Sequence, residues 1–299
     1  MSAFLNPTKV FSQNKIWYIL CSIVLLIPIL FYGWRLSLRS PRTNLHQQLF
    51  PGISYERKIF SKPRPLVSHI IKIELSNSAI QPVVTNLDRY ETDDGALAMT
   101  TSEFIREYDV DLAVNGSFFY PFSEDTPWNY FPHSGDLVYP LGETTIDGKR
   151  YGKAGKRRNV LCFSQSNLAD IPLDNTCPRS TFQSISGMQM LLKNGKNVAA
   201  NSQAYARTAA GINRNGDILW LVLVDGKQPF YSEGATLKEL ADIFISLGCD
   251  RAINLDGGGS TTLAVKQANQ VTVLNAPIHT KIPMRERPVA NHLGFKISS

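Results

Sequence analysis

The stretch that leaves the chain the fewest options is Arg207-Thr-Ala-Ala-Gly-Ile-Asn-Arg214, Asn215-Gly216, Asp217-Ile-Leu-Trp-Leu-Val-Leu-Val-Asp225-Gly226. Two apolar runs flank Asn-Gly, the preferred two-residue turn of a β-hairpin, so both runs are expected to be antiparallel strands. Gly211, with an alanine beside it, leaves room for another segment to approach closely. Arg207 opens one strand and Asp225 closes its partner, which puts them at one end of the hairpin. A cross-strand ion pair is the simplest reading of that placement.

Thr236–Leu247 is expected to be a helix. Thr236 and Glu239 stand at capping-box spacing, Leu237, Leu240, Ala241, Phe244 and Ile245 share a face, and Gly248 closes the segment. It feeds a short apolar strand, Ala252–Leu255, that runs into Asp256-Gly257-Gly258-Gly259-Ser260-Thr261-Thr262. Consecutive glycines permit positive φ and close approach, so their amides can form an anion-binding nest next to the Asp256 carboxylate. In the plainer alternative, a Gly-rich turn, Asp256 bonds its own loop amides.

The remaining pattern is of short strands and few helices. Val67–Leu75 alternates as a half-buried strand and Ile80–Leu87 reads as its partner. Thr100–Tyr108 is a short helix with Thr100 and Glu103 in capping-box positions, followed by a strand that ends in Asn115-Gly116. Tyr120–Arg158 is rich in Pro, Gly and aromatics and reads as a flap, whose exposed rings suit sugar faces. Asn159–Ser164 and Gly187–Leu192 are further strands. Arg287, Asn291 and His292 stand at the entrance to a last one. The expected class is α+β, with a mixed, largely antiparallel sheet and few helices.

Ile16–Trp34 contains no charge for nineteen residues, enough to cross a bilayer as a helix, with Trp17, Tyr18, Tyr32 and Trp34 at interfacial positions. No small-x-small cleavage site follows, so an uncleaved anchor is expected rather than a signal peptide. The resulting organisation is a tail at 1–15, an anchor at 16–34, a linker at 35–66 and one domain at 67–299. Of the formal charge of +6, +5 belongs to Lys9, Lys15, Arg35, Arg39 and Arg42 in residues 1–55. The basicity is thus that of a membrane flank and points away from nucleic acid. The three arginines after the anchor favour a cytoplasmic C-terminal side by charge bias. Cys162 and Cys177 could pair across a loop in an oxidising compartment. No closely spaced His/Cys set suggests zinc, and no cofactor site is expected, although loop carboxylates such as Asp93 and Asp94 leave room for a calcium ion.

NGSFF at 115–119, RTAAGI at 207–212, VDG at 224–226, NLDGGGSTTL at 254–263 and RPVANHLGF at 287–295 together resemble the phosphodiester glycosidase family, whose members include an enzyme that removes N-acetylglucosamine from a phosphodiester and bacterial proteins of exopolysaccharide biosynthesis. Ser117 stands where the family pattern favours a second glycine. The resemblance implies hydrolysis of a sugar-1-phosphodiester, with the large domain outside the cytoplasm. A phosphate monoester, with a second pKa of about 6, can depart without being protonated. The remaining tasks are to hold phosphate charge, stabilise an oxocarbenium-like sugar and supply a nucleophile or base. Arg207 and Arg287 suit the first, together with the amides of Gly257, Gly258, Gly259 and Ser260 and the hydroxyls of Ser260 and Thr261. Asp256 suits the others. Asn115 and Asn291 are candidates for sugar hydroxyls, and Asp225 or Glu233 for a second carboxylate. The competing reading is a non-catalytic glycan- or phosphate-binding factor in exopolysaccharide assembly or export.

Overall fold

The computed structural model describes residues 7–87, 94–152 and 158–298, and in the first helix the side chains of 17, 18, 20–22 and 24 onward. That helix, Pro7–Ser37, contains Pro28 and includes an 18-residue apolar window, Leu20–Ser37, long enough to cross a membrane. Its described side chains are exposed as far as Trp34, and burial begins only with Arg35 and Leu36 in its last turn. Residues expected as a linker instead form a hairpin, Leu45–Phe50 with Ile53–Phe60. Its apolar alternation, with Ile53 and Tyr55 buried, carries it onto the edge of the main sheet.

Eight strands make that sheet, in the order Leu45–Phe50, Ile53–Phe60, Leu66–Glu74, Ile218–Val224, Arg207–Ile212, Arg251–Asn254, Gln189–Lys193 and Lys196–Asn197. Every pairing in it is antiparallel. Two five-stranded antiparallel sheets accompany it. One runs Gln270–Val273, Leu263–Gln267, Leu112–Asn115, His292–Ile297, Ile80–Val84, and the other Lys149–Tyr151, Thr144–Ile146, Thr181–Ser186, Val160–Ser164, Ala169–Asp170.

The core lies where the three sheets face one another: Ile71, Leu221 and Ile253 from the large sheet pack with Val114, Leu263 and Phe295 from the second and Phe163 and Ile185 from the third. In Ile218–Val224 the leucines 219, 221 and 223 enter this core, while Trp220, Val222 and Val224 enter a second one under the helix Leu237–Ser246. A strand buried on both faces has no polar side, which explains its unbroken apolar run. The Phe244 ring of that helix lies where a side chain at Gly211 would be, 2.5 Å from an ideal Cβ. Both expected capping boxes, Thr100/Glu103 and Thr236/Glu239, are present.

Three further expectations change. Ile80–Val84 does not pair with Leu66–Glu74: it joins His292–Ile297 in the second sheet, while Leu66–Glu74 lies between Ile53–Phe60 and Ile218–Val224. The hairpin turn is wider than Asn-Gly, because five residues, Asn213–Asp217, separate the strands. The Asn213 side chain accepts from the Ile218 amide and bonds Asp217, capping the larger turn. The flap is also not structureless: short antiparallel pairs join Phe119–Tyr120 to Leu137–Pro140 and Ser123–Glu124 to Tyr130–Phe131.

Candidate active site

Strand ends build the site. Arg251–Asn254 is paired with Arg207–Ile212, Ala209 facing Asn254, so Asp256 leaves its strand beside Arg207. The backbone of Asp256 is then clamped. Its amide donates to the Gly116 carbonyl at 3.0 Å, and its carbonyl accepts from Asn115 Nδ2 at 2.7 Å. Asn115 is fully buried, and its Oδ1 accepts from Thr208 Oγ1 and the Thr262 amide. Past Asp256 the chain makes a 3-10 turn at Gly258–Ser260. Gly258 has φ of +64° and packs on Tyr205. A Cβ on Gly259 would lie 2.4 Å from Arg287 Nη2. The glycines therefore let an aromatic ring and a guanidinium come against the backbone.

The result is a cleft of about 280 Å3 lined by Phe118, Phe119, Phe122, Tyr205, Arg207, Asp256, Gly257 and Arg287. Four regions distant in sequence meet there, and Asp256, Arg207 and Arg287 share one volume. Burial raises the Asp256 pKa to about 6, against the lowering pull of the Ser260 hydroxyl, the Arg287 charge and the Gly257 amide. Ser260 also accepts from Arg287 Nη1 at 3.2 Å, which couples the acid to the cation through one hydroxyl. Arg287 lies over the Phe122 ring, donates through Nε to His279 Nδ1 and pairs with Glu124. Burial, chiefly, and then nearby cations push the His279 pKa down to about 3, so the ring is neutral and accepts from the arginine. Arg207 donates to the Ala235 and Gln203 carbonyls and, among the described residues, has no carboxylate partner. Its Nη1 has no described bond.

Several expected site residues lie elsewhere or are otherwise engaged. Asp225 is 1% exposed and does not pair with Arg207. It accepts from His69 Nε2 at 2.9 Å, from Asn275 Nδ2 at 3.0 Å and from the Ala276 amide, because the inward face of its strand meets His69 and Tyr55. Glu233 is exposed, its backbone bonded to Pro65, and it does not line the cleft. Asn115 and Asn291 cannot present amides to a sugar. Asn291 is fully buried and bonds the Ser117 amide and hydroxyl.

Three of the four amides of the expected nest, those of Gly257, Gly258 and Ser260, are used internally. The Gly257 amide turns back to Asp256 Oδ1, that of Gly258 bonds the Ala206 carbonyl, and those of Ser260 and Thr261 close the 3-10 turn. Thr261 Oγ1 is buried without a partner. His292 stacks on Phe104, and burial lowers its pKa to about 3. Asp93 lies outside the described residues. Asp94 is exposed, and among the described residues no three His, Cys, Asp or Glu side chains form a metal-binding group. Glu124, which the sequence did not single out, supplies the carboxylate beside Arg287. Its one signal was its place in the aromatic flap.

The antiparallel, helix-poor fold agrees with the comparisons to known proteins. Residues 108–296 match the phosphodiester glycosidase family, and the chain belongs to that family. One relative is the bovine N-acetylglucosamine-1-phosphodiester alpha-N-acetylglucosaminidase, 29% identical over 153 residues, a match covering 42% of this chain and 28% of the bovine protein. The chain thus spans under a third of that relative. The catalytic domain of the zebrafish enzyme of the same name superimposes with a TM-score of 0.60 at 19% identity, over 87% of this chain and 85% of the other. A protein from Synechocystis does so with a TM-score of 0.54 at 14% identity, over 87% and 64%. At these identities the structures show a shared fold.

Proposed function

We propose that this chain is a membrane-anchored glycosidase that hydrolyses a sugar-1-phosphodiester, with its large domain on the extracytoplasmic side. The observation that carries the reading is the convergence of Asp256, Arg207 and Arg287 on one open cleft. Family membership supports the reaction class. The Cys162–Cys177 disulfide supports an oxidising compartment. Arg35, Arg39 and Arg42 are engaged at the domain surface, which accounts for these cations without a cytoplasmic leaflet. The envelope or exopolysaccharide setting of the substrate is part of the same proposal and follows the resemblance of the five motifs.

In the reaction, the bond between the anomeric carbon and the phosphate oxygen breaks with its electron pair going to the phosphate. A phosphomonoester leaves as an anion, so no proton need be delivered to it. Arg207, with Nη1 uncommitted, takes up the phosphate charge. Arg287 is already bonded on three sides. It acts on the cleft mainly through its charge and by holding Ser260 against Asp256. Asp256, ionised above about pH 6, serves as nucleophile or as base toward water. Neither Asp225 nor Glu233 serves as a second carboxylate of this scheme, and Glu124, paired with Arg287, holds that guanidinium in place. Aromatic rings at Phe118, Phe119, Phe122 and Tyr205 give the sugar an apolar wall.

The test is turnover of a sugar-1-phosphodiester by the full chain in detergent, with Asp256→Asn alongside. Asparagine keeps the shape and lacks the charge, and an activity loss on the order of a thousandfold is expected. Equal turnover by both proteins would remove the role of Asp256. Binding of the diester with no turnover in the unsubstituted chain would favour the non-catalytic binder.

A further inference from the structure

We propose that the cleft is served directly from the bilayer: the substrate is an amphiphilic glycosyl phosphodiester whose apolar aglycone stays in the membrane that holds the N-terminal helix. This rests on the hydrolase reading and on the helix as an anchor. It adds the chemical class of the group beyond the phosphate.

The helix is not joined to the domain by a flexible tether. Its exposed apolar length ends at Trp34, and the next residue is already bound to the domain. Arg35 Nε donates to the Pro283 carbonyl at 2.8 Å, and Nη2 bonds that of Met284. Arg39 bonds Gln228 Oε1 and lies 4.5 Å over the Tyr231 ring. Arg42 donates to the Phe230 carbonyl at 3.1 Å. Segments 228–231 and 283–284 are therefore held at the membrane end of the domain, and each stands within three residues of a group that lines the cleft or lies over a lining ring. Met284 is three residues from Arg287, a span of roughly 11 Å at most. Lys227, next to Gln228, lies 4.6 Å over the ring of Tyr205, which lines the cleft.

The headgroup layer of one leaflet is roughly 5–8 Å thick. The cleft residue Arg287 lies within roughly 11 Å of Met284, which Arg35 at the helix end binds through its side chain, so a sugar phosphate raised on an extended aglycone spans the gap between that layer and the cleft. Phe230, 90% exposed beside Arg42, is an aromatic of the kind that sits at the interface, and Phe122, 46% exposed, carries apolar surface to the cleft rim. Arg35, Arg39 and Arg42 fix the helix against this edge, and Lys227 beside them complements anionic headgroups.

The experiment uses the full chain in vesicles of neutral and anionic phospholipid. Two diesters share one sugar-1-phosphate. One carries a long isoprenoid-type chain inserted in the vesicle, the other a methyl group. The lipid-held diester is expected to be cleaved at least tenfold faster at matched surface and bulk occupancy. An Arg35→Ala/Arg39→Ala double variant should lose that advantage while keeping its rate on the methyl diester, and Arg35→Lys should retain part of it. Equal rates on both diesters, or an advantage untouched by the double variant, overturn the inference. A photoreactive headgroup lipid gives a readout independent of turnover, with adducts expected within residues 227–231 and 281–285. Adducts there with neither diester cleaved would uphold the membrane geometry and sink the hydrolase reading. Adducts elsewhere would overturn the geometry.

Discussion

Asp256 and Asp225 are both acids at the ends of apolar strands, yet their surroundings assign them opposite tasks. Asp225 is sealed in with His69, Tyr55 and Asn275. Asn275 in turn donates to the Thr261 carbonyl and accepts from the Leu263 amide, so Asp225 holds the loop after Asp256 from behind. Removing one partner of a buried pair costs roughly 3–5 kcal/mol. Asp225→Ala should therefore lower the denaturation midpoint sharply, with turnover per folded molecule falling less than in Asp256→Asn. Equal stability in a urea titration would contradict this. Asp256 is the reverse case. Its folded-state pKa of about 6 lies above the ordinary carboxylate value of 3.8, because burial disfavours the charge. The bound proton therefore stabilises the fold. That contribution is complete below about pH 4 and disappears as pH rises through 6. Its size is on the order of 2 kcal/mol after allowing for the open side of the carboxyl. Wild-type stability should fall across pH 4–6 relative to Asp256→Asn, while wild-type turnover rises with an apparent pKa near 6. Midpoints that stay parallel over this range would show that the carboxyl is not shifted.

The Gly258–Ser260 turn shows what a segment can hide. The sequence displays three glycines, and the expected use was a ring of amides for phosphate. The structure uses the absent side chains instead, to admit Tyr205 and Arg287. Gly259→Ala places a methyl 2.4 Å from the Arg287 Nη2 atom, so the guanidinium must shift away from Ser260 and Glu124. Turnover should drop tenfold or more with a stability loss of about 1–3 kcal/mol, since overpacking strains its surroundings. An unchanged rate would mean that the position of Arg287 does not matter. Features governed by local spacing were legible beforehand: two capping boxes, the strands of the 207–224 hairpin, and the helix feeding Asp256. What depends on the direction of a side chain was not. Asn115 and Asn291 read as sugar ligands, but their amides point inward to tie together strands whose partners lie 93 to 174 residues away in sequence. Glu124 sits on a two-residue strand, with no periodicity to mark it, and meets Arg287 across 163 positions. The hairpin at Leu45–Phe60 fell within the expected linker, 35–66, where Pro41, Pro51, Pro63 and Pro65 interrupt the pattern. Its Ile53 and Tyr55 alternation is visible only once an edge is there to receive it.

At the scale of the molecule, the cleft is a product of packing three antiparallel sheets on one core, each contributing strand ends or the residues behind them. The third sheet stands apart in one respect: its Val160–Ser164 strand is cross-linked by Cys162 to Cys177 across a separation of 15 residues. Both sulfurs are buried with Val160 in a small cluster, and neither cysteine lines the cleft. Closing a loop of this length removes about 3 kcal/mol of unfolded-chain freedom. A Cys162→Ala/Cys177→Ala pair should thus lower the melting temperature by roughly 6–12 °C for a domain of this size. At 25 °C, folded molecules should keep their turnover, because Asp256, Arg207 and Arg287 are held by the other two sheets and the loops between them. A cross-link that served the site directly would behave differently, with turnover lost in step with the bridge at temperatures where circular dichroism still reports a folded chain. Calorimetry and rate measurements on the same pair separate the two cases, and a fall in turnover without a fall in melting temperature would place the third sheet within the catalytic apparatus.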